Sequence, residues 1–456
     1  MAEAKAAVLA RQIAQDQARS GLQAGSLFGS ATQLRARYGV TEAMLRQAVL
    51  LLEEKGIAFS RRGVGGGIII GAPDSSSAAR TAAIYLQFQG ATAELCELST
   101  RANHWLTALS SKDGLSLATA DYLRAEAARL AKINFASEAY RHLQLRTIIA
   151  ASAGGAALAL STQVVNQLLL DLTVDTNVYR STSERYRLYW EMTHKKLEAF
   201  IAGDVEASIR LHDENLSLVE REVQRSAQSE GEAERPLPQS RKAEWVVRAI
   251  LRDMRNRGWV AGDRLGSEPQ LMKAYGVSRP VIRQAVRLLE LHRAAAMQRG
   301  AHGGLVISTP DAEYATQAMV KHLQEAGASC AQARNLRREI LLRHVPEFLP
   351  GHIPHLEAAF RAMAKKMPSE FWATGASALT EICRGANNIV GLFLVNTLRE
   401  FEYDHTEVQS PTDLDRHAAL QALEAVVTSI VRKDSSRAQR AIIQYWMIEG
   451  RYLANR

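Results

Sequence analysis

One stretch of this chain occurs twice. "YGVTEAMLRQAVLLLE" spans 38–53, "YGVSRPVIRQAVRLLE" spans 275–290, and an offset of 237 residues brings the two into register. The same offset sets Gly25 on Gly262, Gly29-Ser30 on Gly266-Ser267, Gln33-Leu34 on Gln270-Leu271, Arg62-Gly63 on Arg299-Gly300 and Pro73-Asp74 on Pro310-Asp311, with no gap. Chance does not hold register over such a span, and a repeat of this length constrains architecture before any local propensity is weighed. The match continues faintly, with Gly90-Ala91 meeting Gly327-Ala328. The chain reads as a doubled unit, each copy a short domain followed by a longer one.

The joint between the copies is "QRSAQSEGEAERPLPQSRK", rich in Ser, Gln, Glu and Pro and nearly devoid of apolar residues. That is the composition of a solvated linker. Five segments follow: 1–73, 74–223, a linker at 224–242, 243–310 and 311–456. In the second short domain, "AEWVVRAILRDMRNRG" has helical apolar spacing and stops at Gly258, and "EPQLMKAYG" is a short helix ending at Gly276. Ser278 is suited to cap a third helix, with Pro280 in its first turn, where a missing N–H costs nothing. "AAAMQRGAHGGLVIS" and its counterpart "IAFSRRGVGGGIIIG" each set two extended runs around a Gly-rich tip, the pattern of a β-hairpin. Two helices joined by a short turn make a helix-turn-helix, and with the hairpin a winged helix. The longer segments consist of Ala- and Leu-rich amphipathic runs almost free of strand signals, which predicts helical bundles. The expected fold class is mainly α: two winged helix-turn-helix domains, each followed by an all-helical bundle.

Length and charge agree with that plan. At 456 residues the chain exceeds one ordinary core. Its 56 Lys and Arg against 48 Asp and Glu leave a net charge of +8, which permits an anionic partner. Cys96, Cys330 and Cys383 lie far apart and form no CxxC pair, which suggests a reducing compartment and no structural zinc. The first residues, "MAEAKAAVLARQIAQDQARSG", lack the apolar core and cleavage pattern of a signal peptide, so a cytoplasmic protein is expected. "IIAASAGGAALALSTQVV" (148–165) barely reaches membrane-spanning length. Its Gly154-Gly155 pair and many small residues favour a buried helix pair, and no membrane partner is expected.

The third helix of each short domain carries the chemistry. A recognition helix presents its N-terminal side chains to the major groove. In the second copy these are Ser278, Arg279, Val281 and Arg283. An arginine can give two hydrogen bonds to guanine O6 and N7, and residues four apart share one helical face. Ser267, ahead of the preceding helix, offers a hydroxyl to phosphate. The hairpin tip offers Arg299, Gly300 and His302, with glycine allowing close backbone approach and arginine suited to the minor groove. The first-copy candidates are Thr41, Arg46, Arg62 and Gly63. "GVGGG" is not a phosphate-binding loop, because no Lys-Ser/Thr follows it.

Taken together, "VAGDRLGSEPQLMKAYGVSRPVIRQAVRLLE…QRGAHGGLVI" resembles the winged helix of GntR-type bacterial transcription regulators. The resemblance covers about 65 residues in each copy. The helical segments resemble, on the shorter fragments "YLQFQGATAELCEL" and "HKKLEAFIAGDVEAS", the FCD effector domain of the FadR subfamily. That resemblance implies operator contacts by Arg279, Arg283, Arg299 and Gly300, and a small acid in the helical domain that modulates them.

The chain departs from that pattern in three ways. The family carries one head per chain and works as a homodimer, whereas here two heads share a chain; an intramolecular pseudo-dimer on double-stranded operator DNA is expected, with further homodimerisation open. The first copy holds Glu42 where the second holds Arg279, and Ser30-Ala31 where the second holds Ser267-Glu268. A carboxylate is repelled by phosphates although it can accept from cytosine N4, so the first head is a weaker reader, a reader of another half-site, or a structural module. The Asp and three His that hold a metal in many FCD domains are also depleted. Leu145-Arg146 stand where a Phe-His pair would be, Gly155 where an Asn would be, and Asn215 at the last ligand, which leaves His194 ahead of Asp204; counted from Asp434, the second copy has Glu424 and Tyr445. One imidazole does not hold a divalent ion well, so no metal and no cofactor are expected. The effector candidates are Arg337, which matches an arginine the family points into its cavity, with Arg146 and His194. An enzyme is the competing class, resting on a loose group of His344, His352 and His355 with no Glu-x-x-His pair or nucleophile motif.

Overall fold

The computed structural model describes residues 2–455 except 21, 23, 55–56, 62–66, 72–74, 114, 133–137, 174–182, 227–238, 259, 299 and 301–302. The N-terminal head comprises α1 (Ala2–Ser20), β1 (Leu27–Gly29), α2 (Ala31–Tyr38), α3 (Glu42–Glu54), β2 (Ala58–Arg61) and β3 (Gly67–Ile70), with an antiparallel sheet of order β1-β3-β2. Helices α4 (Ser76–Phe88), α5 (Ala93–Ser110), α6 (Leu117–Ala131), α7 (Glu138–Thr173), α8 (Ser183–Ile201) and α9 (Val205–Ser226) follow. The second head is α10 (Gln239–Asn256), β4 (Arg264–Gly266), α11 (Glu268–Tyr275), α12 (Arg279–Leu291), β5 (Ala295–Gln298) and β6 (Gly304–Ile307), with sheet order β4-β6-β5. The chain ends in α13 (Ala312–Glu325), α14 (Cys330–His344), α15 (Ile353–Ala364), α16 (Phe371–Leu379), α17 (Glu381–Gly385), α18 (Ile389–Asp404), β7 (Thr406–Val408), α19 (Asp413–Val431), α20 (Ser435–Glu449) and β8 (Leu453–Asn455). The antiparallel β7–β8 pair lies in a segment expected to be all-helical. Helices also extend into both ends of the expected 224–242 linker, α9 to Ser226 and α10 from Gln239.

The two heads match in detail at the repeat offset. Leu27 pairs with Ile69 and Gly29 with Ile68; Arg264 pairs with Val306 and Gly266 with Leu305. Tyr38 donates its hydroxyl to Asp16 at 2.9 Å, and Tyr275 donates to Asp253 at 3.1 Å. Gly39 and Gly276 end α2 and α11 in the left-handed region (φ 62° and 60°), where a side chain would be strained. Each head closes over its own apolar core, Ile13, Leu34, Leu45, Leu52 and Ile68 in the first, Ile250, Leu271, Ile282, Leu289 and Leu305 in the second.

The helical segments share one core. Leu86, Val165 and Leu168 lie in the same buried cluster as Leu323, Leu336 and Leu394, with α4 against α13 and both α5 and α7 against α14. Full burial of each such side chain is worth about 1.5–3 kcal/mol, so this junction has the character of a protein interior. Helix α7 is broken at Gly154 (φ −128°, ψ 15°) and Gly155 (φ 66°, ψ −159°) into two arms. Its span 143–172 is long and apolar enough to cross a membrane, but 78% of its most apolar 18-residue stretch is buried within the fold. The break also admits a neighbour: a Cβ on Gly155 would stand 2.5 Å from the Gln332 amide of α14.

The heads are seated on different elements. The first rests on α6 and α7, with Phe59 and Tyr122 rings 6.2 Å apart, Arg61 and Asp121 paired at 3.2 Å, and Ala24 packed with Ala151 and Ala159. The second rests on α4: Ile84 joins its core, and Thr81 Oγ1 meets His292 Nδ1 at 2.8 Å. Arg248 of α10 pairs with the buried Asp171 at the end of α7, 3.2 Å away.

Candidate nucleic-acid interface

In the second head, α11 and α12 meet at a turn that leaves the start of α12 exposed. Ser278 is the N-cap residue in extended conformation, and its carbonyl accepts from Val281 and Ile282; its hydroxyl makes no capping bond. Arg279, Arg283 and Arg287 fall four residues apart and are all exposed, forming a cationic stripe along one face. Sequence reasoning missed Arg287, although its spacing from Arg283 signals it. Val281 is corrected: it is 5% exposed and packs with Ile282, Ala285 and Leu289 in the head's core. A helix advances 100° per residue, so position 281 turns inward where 279 and 283 turn outward.

Glu268, the first residue of α11, holds the stripe. Its Oε1 accepts from Arg283 Nε at 2.6 Å, and its Oε2 lies 3.4 Å from Arg279 Nε. Both arginine side chains remain more than half exposed, at 57% and 61%. Ion pairs at such sites are worth roughly 0–1 kcal/mol, so phosphate or guanine oxygens can replace the carboxylate. Ser267 points its hydroxyl at Gln270 Oε1 (3.0 Å), and its N–H donates to the same oxygen at 2.8 Å, which fixes the entry to α11. Gly300 adopts φ 114° at the wing and is exposed. Arg299 and His302 lie outside the described residues.

The first head redistributes the same charges. Ala31 replaces the clamping glutamate, and Glu42 sits at the start of α3 itself. Arg46 reaches Glu42 at 3.0 Å and Arg35 approaches it to 3.8 Å. Thr41 Oγ1 accepts from the Met44 N–H at 3.4 Å. Leu50 stands where the second head has Arg287. Both heads thus hold one carboxylate between two arginines, but in the first it sits on the third helix itself and no cation takes the place of the exposed Arg287. Arg62 and Gly63 lie outside the described residues.

The effector candidates separate. Arg337 is fully buried: it lies 2.8 Å from Glu402, 3.8 Å from Glu449 and 4.5 Å from the Trp446 ring centre, sharing the two carboxylates with Arg334. This is a self-neutralised internal network in which the nearby carboxylates outweigh burial and raise the Arg337 pKa. His194 packs against its own helix. Its Nδ1 is 3.0 Å from the Trp190 carbonyl, and its ring packs edge-on to that indole. Arg146 does line one, a small cavity of about 30 Å³ between α5, α7, α8 and α9, together with Lys196 and His104, which sequence reasoning missed. Of the histidines weighed for an enzyme, His344 is buried against the Ile340 carbonyl at 2.6 Å, while His352 caps α15 and His355 lies in its first turn, their rings 5.9 Å apart.

A three-helix head with a paired hairpin and an exposed arginine-bearing third helix defines a winged helix-turn-helix DNA-binding domain. Residues 242–302 match the family model described as "Bacterial regulatory proteins, gntR family", so the chain carries a GntR-type DNA-binding domain in its second head. The match supports a DNA-binding transcription regulator. Among solved structures the chain is similar to Streptococcus agalactiae GntR, at 15% identity over 46% of this chain and 99% of that one, with a TM-score of 0.34. No curated protein matches the chain.

Proposed function

We propose that the protein is a ligand-responsive transcription regulator, acting as a repressor, whose two heads read one operator as an intramolecular pseudo-dimer. The observation that carries the DNA-binding part is the exposed Arg279–Arg283–Arg287 row at the mouth of a GntR-type head. Two features support a duplicated, two-headed molecule: the strand registers that recur at an offset of 237, and the apolar core running unbroken between the helical halves. Occupancy of a promoter alone excludes competing proteins, so repression needs no further activity. A small organic ligand acts by binding one arrangement of the heads better than another.

A one-headed regulator is the second reading, and a specific observation favours it. Glu42 is tied to Arg46 and Arg35 on the first head's reading face, and that head is seated on α6 and α7 instead of in a position equivalent to the second. Mobility shifts on the protein's own promoter at low salt separate the two. The Arg279→Ala/Arg283→Ala double variant is expected to abolish the shift. Arg46→Ala is expected to weaken it by roughly tenfold if both heads read, as loss of one base contact would, and to leave it intact if only the second does. If neither variant changes binding, the recognition helices are misassigned.

A further inference from the structure

We propose that Lys196 is a site of reversible covalent modification by carbon dioxide: its amine adds CO2 where it faces the cavity between α5, α7, α8 and α9, and the resulting carbamate is held by Arg146, Asn103 and Thr162. The site stands apart from the DNA-binding reading.

Size narrows the chemistry first. The cavity measures about 30 Å³. One water needs roughly 10–15 Å³ of such space, so a linear triatomic molecule fits and a multi-carbon ligand does not. Lys196 lines the cavity and is 6% exposed. No Asp or Glu lines it, and among the described residues Lys196 enters no ion pair. A buried ammonium without a counter-ion is costly, which favours the free amine, the nucleophilic form. Burial first, and the charge of Arg146 second, hold its pKa well below the ordinary lysine value. The other ionisable groups around it are His104 from α5 and His212 from α9, stacked ring on ring at 3.9 Å. His104 is pushed down to about 3, chiefly by burial and then by Lys196, and stays neutral with Nε2 2.9 Å from the Ser208 carbonyl.

The step balances without any redox partner. The Nζ lone pair attacks the carbon of CO2, a C–N bond forms as one C=O π pair moves onto oxygen, and a proton leaves the nitrogen for water. A neutral amine becomes an anion with two acceptor oxygens. Two donors for them line the cavity already. Asn103 uses Oδ1 to accept from Ser161 at 2.9 Å, which leaves its Nδ2 unbonded, and the Thr162 hydroxyl is unbonded too. Both residues are buried. Buried donors left unmatched are costly, and charge-assisted bonds to a carbamate relieve that cost. Addition also reverses the sign of one contact: an ammonium at Lys196 repels Arg146, whereas a carbamate attracts it. Arg146 lies on the arm of α7 before Gly154-Gly155 and Thr162 on the arm after it. The modified lysine therefore ties the two arms together across the break.

Chemical trapping on the full chain tests this. The protein is equilibrated with bicarbonate and dissolved CO2 at neutral pH, treated with triethyloxonium to convert carbamates into stable ethyl esters, and digested for sequencing by mass spectrometry. The ester is expected on Lys196 and not on its exposed neighbour Lys195, because lysines in water titrate near about 10.4 and keep their protons at that pH. Thr162→Val and Arg146→Gln are each expected to lower the yield of ester at Lys196, with thermal unfolding as the control for folding. CO2 is also expected to raise the unfolding temperature of the native chain and to leave that of Lys196→Met unchanged. No ester at Lys196, or equal ester at Lys195, overturns the site while the DNA-binding reading stands. An undiminished yield in folded Arg146→Gln removes Arg146 as the counter-ion. Ester at Lys196 without a rise in unfolding temperature upholds the modification and overturns the tie between the arms.

Discussion

At the scale of single residues, the two heads differ in where they keep one carboxylate. Glu268 reaches across from α11 to orient Arg279 and Arg283, whereas Glu42 sits at the start of α3 itself. Glu268 thus fixes where the two guanidinium groups point. Glu268→Gln removes the charge and keeps the shape. It is expected to raise non-specific DNA affinity and steepen its salt dependence by up to about one phosphate equivalent, while discrimination between operator and mutated operator falls. Shifts measured across a potassium chloride series read both. The outward arginines were legible because a four-residue spacing puts them on one face. Val281 was misjudged although the same periodicity turns it inward. Lys196 went unnoticed beside His194, two positions away, yet the signal was present: Thr193, Lys196 and Phe200 share the stripe that faces the bundle, and a lysine on an inward stripe is unusual.

At the scale of elements, α7 decides how the halves meet. Its Gly154-Gly155 break lets Gln332 of α14 approach the backbone, and Gly155 has a conformation open only to glycine. Gly155→Ala adds a Cβ that meets Gln332 at 2.5 Å and forces a strained backbone. The expected loss is about 1–3 kcal/mol or more, seen as a lower urea midpoint. A destabilisation no larger than that of Gly90→Ala, where nothing lies within 4 Å of the added atom, would show that the break is incidental. The sequence marked this helix through its apolar run and its paired glycines. It did not reveal which partner fills the gap, because Gln332 lies far along the chain and no local pattern links them.

At the scale of the whole molecule, the second head is fastened to the first helical segment through a buried histidine. His292, hydrogen-bonded to Thr81, is held down to about 4 by burial and secondarily by Arg80. In the unfolded chain an imidazole titrates near 6.5. As pH falls from about 6.5 the unfolded state gains the proton first, so stability is full above that value, declines down to about 4 and then levels. His104, held at about 3, acts in the same sense. Thermal unfolding between pH 7 and 4 is expected to lose stability more steeply in the native protein than in His292→Gln. Parallel curves would remove the histidine from the junction. The plan of heads and bundles was visible in the sequence because glycines, caps and apolar periods are local signals. The seating of each head was not, since it depends on contacts such as Arg248 to Asp171 between distant segments.

On the proposed two-headed reading, the unequal charge of the two third helices has a geometric consequence. A two-fold assembly laid on a symmetric site looks the same after half a turn, so it cannot distinguish upstream from downstream. A chain with an arginine row at one end and a neutralised glutamate at the other has a front and a back. On a duplex it would settle in one direction only, and the genes on its two sides would face different surfaces of the same molecule.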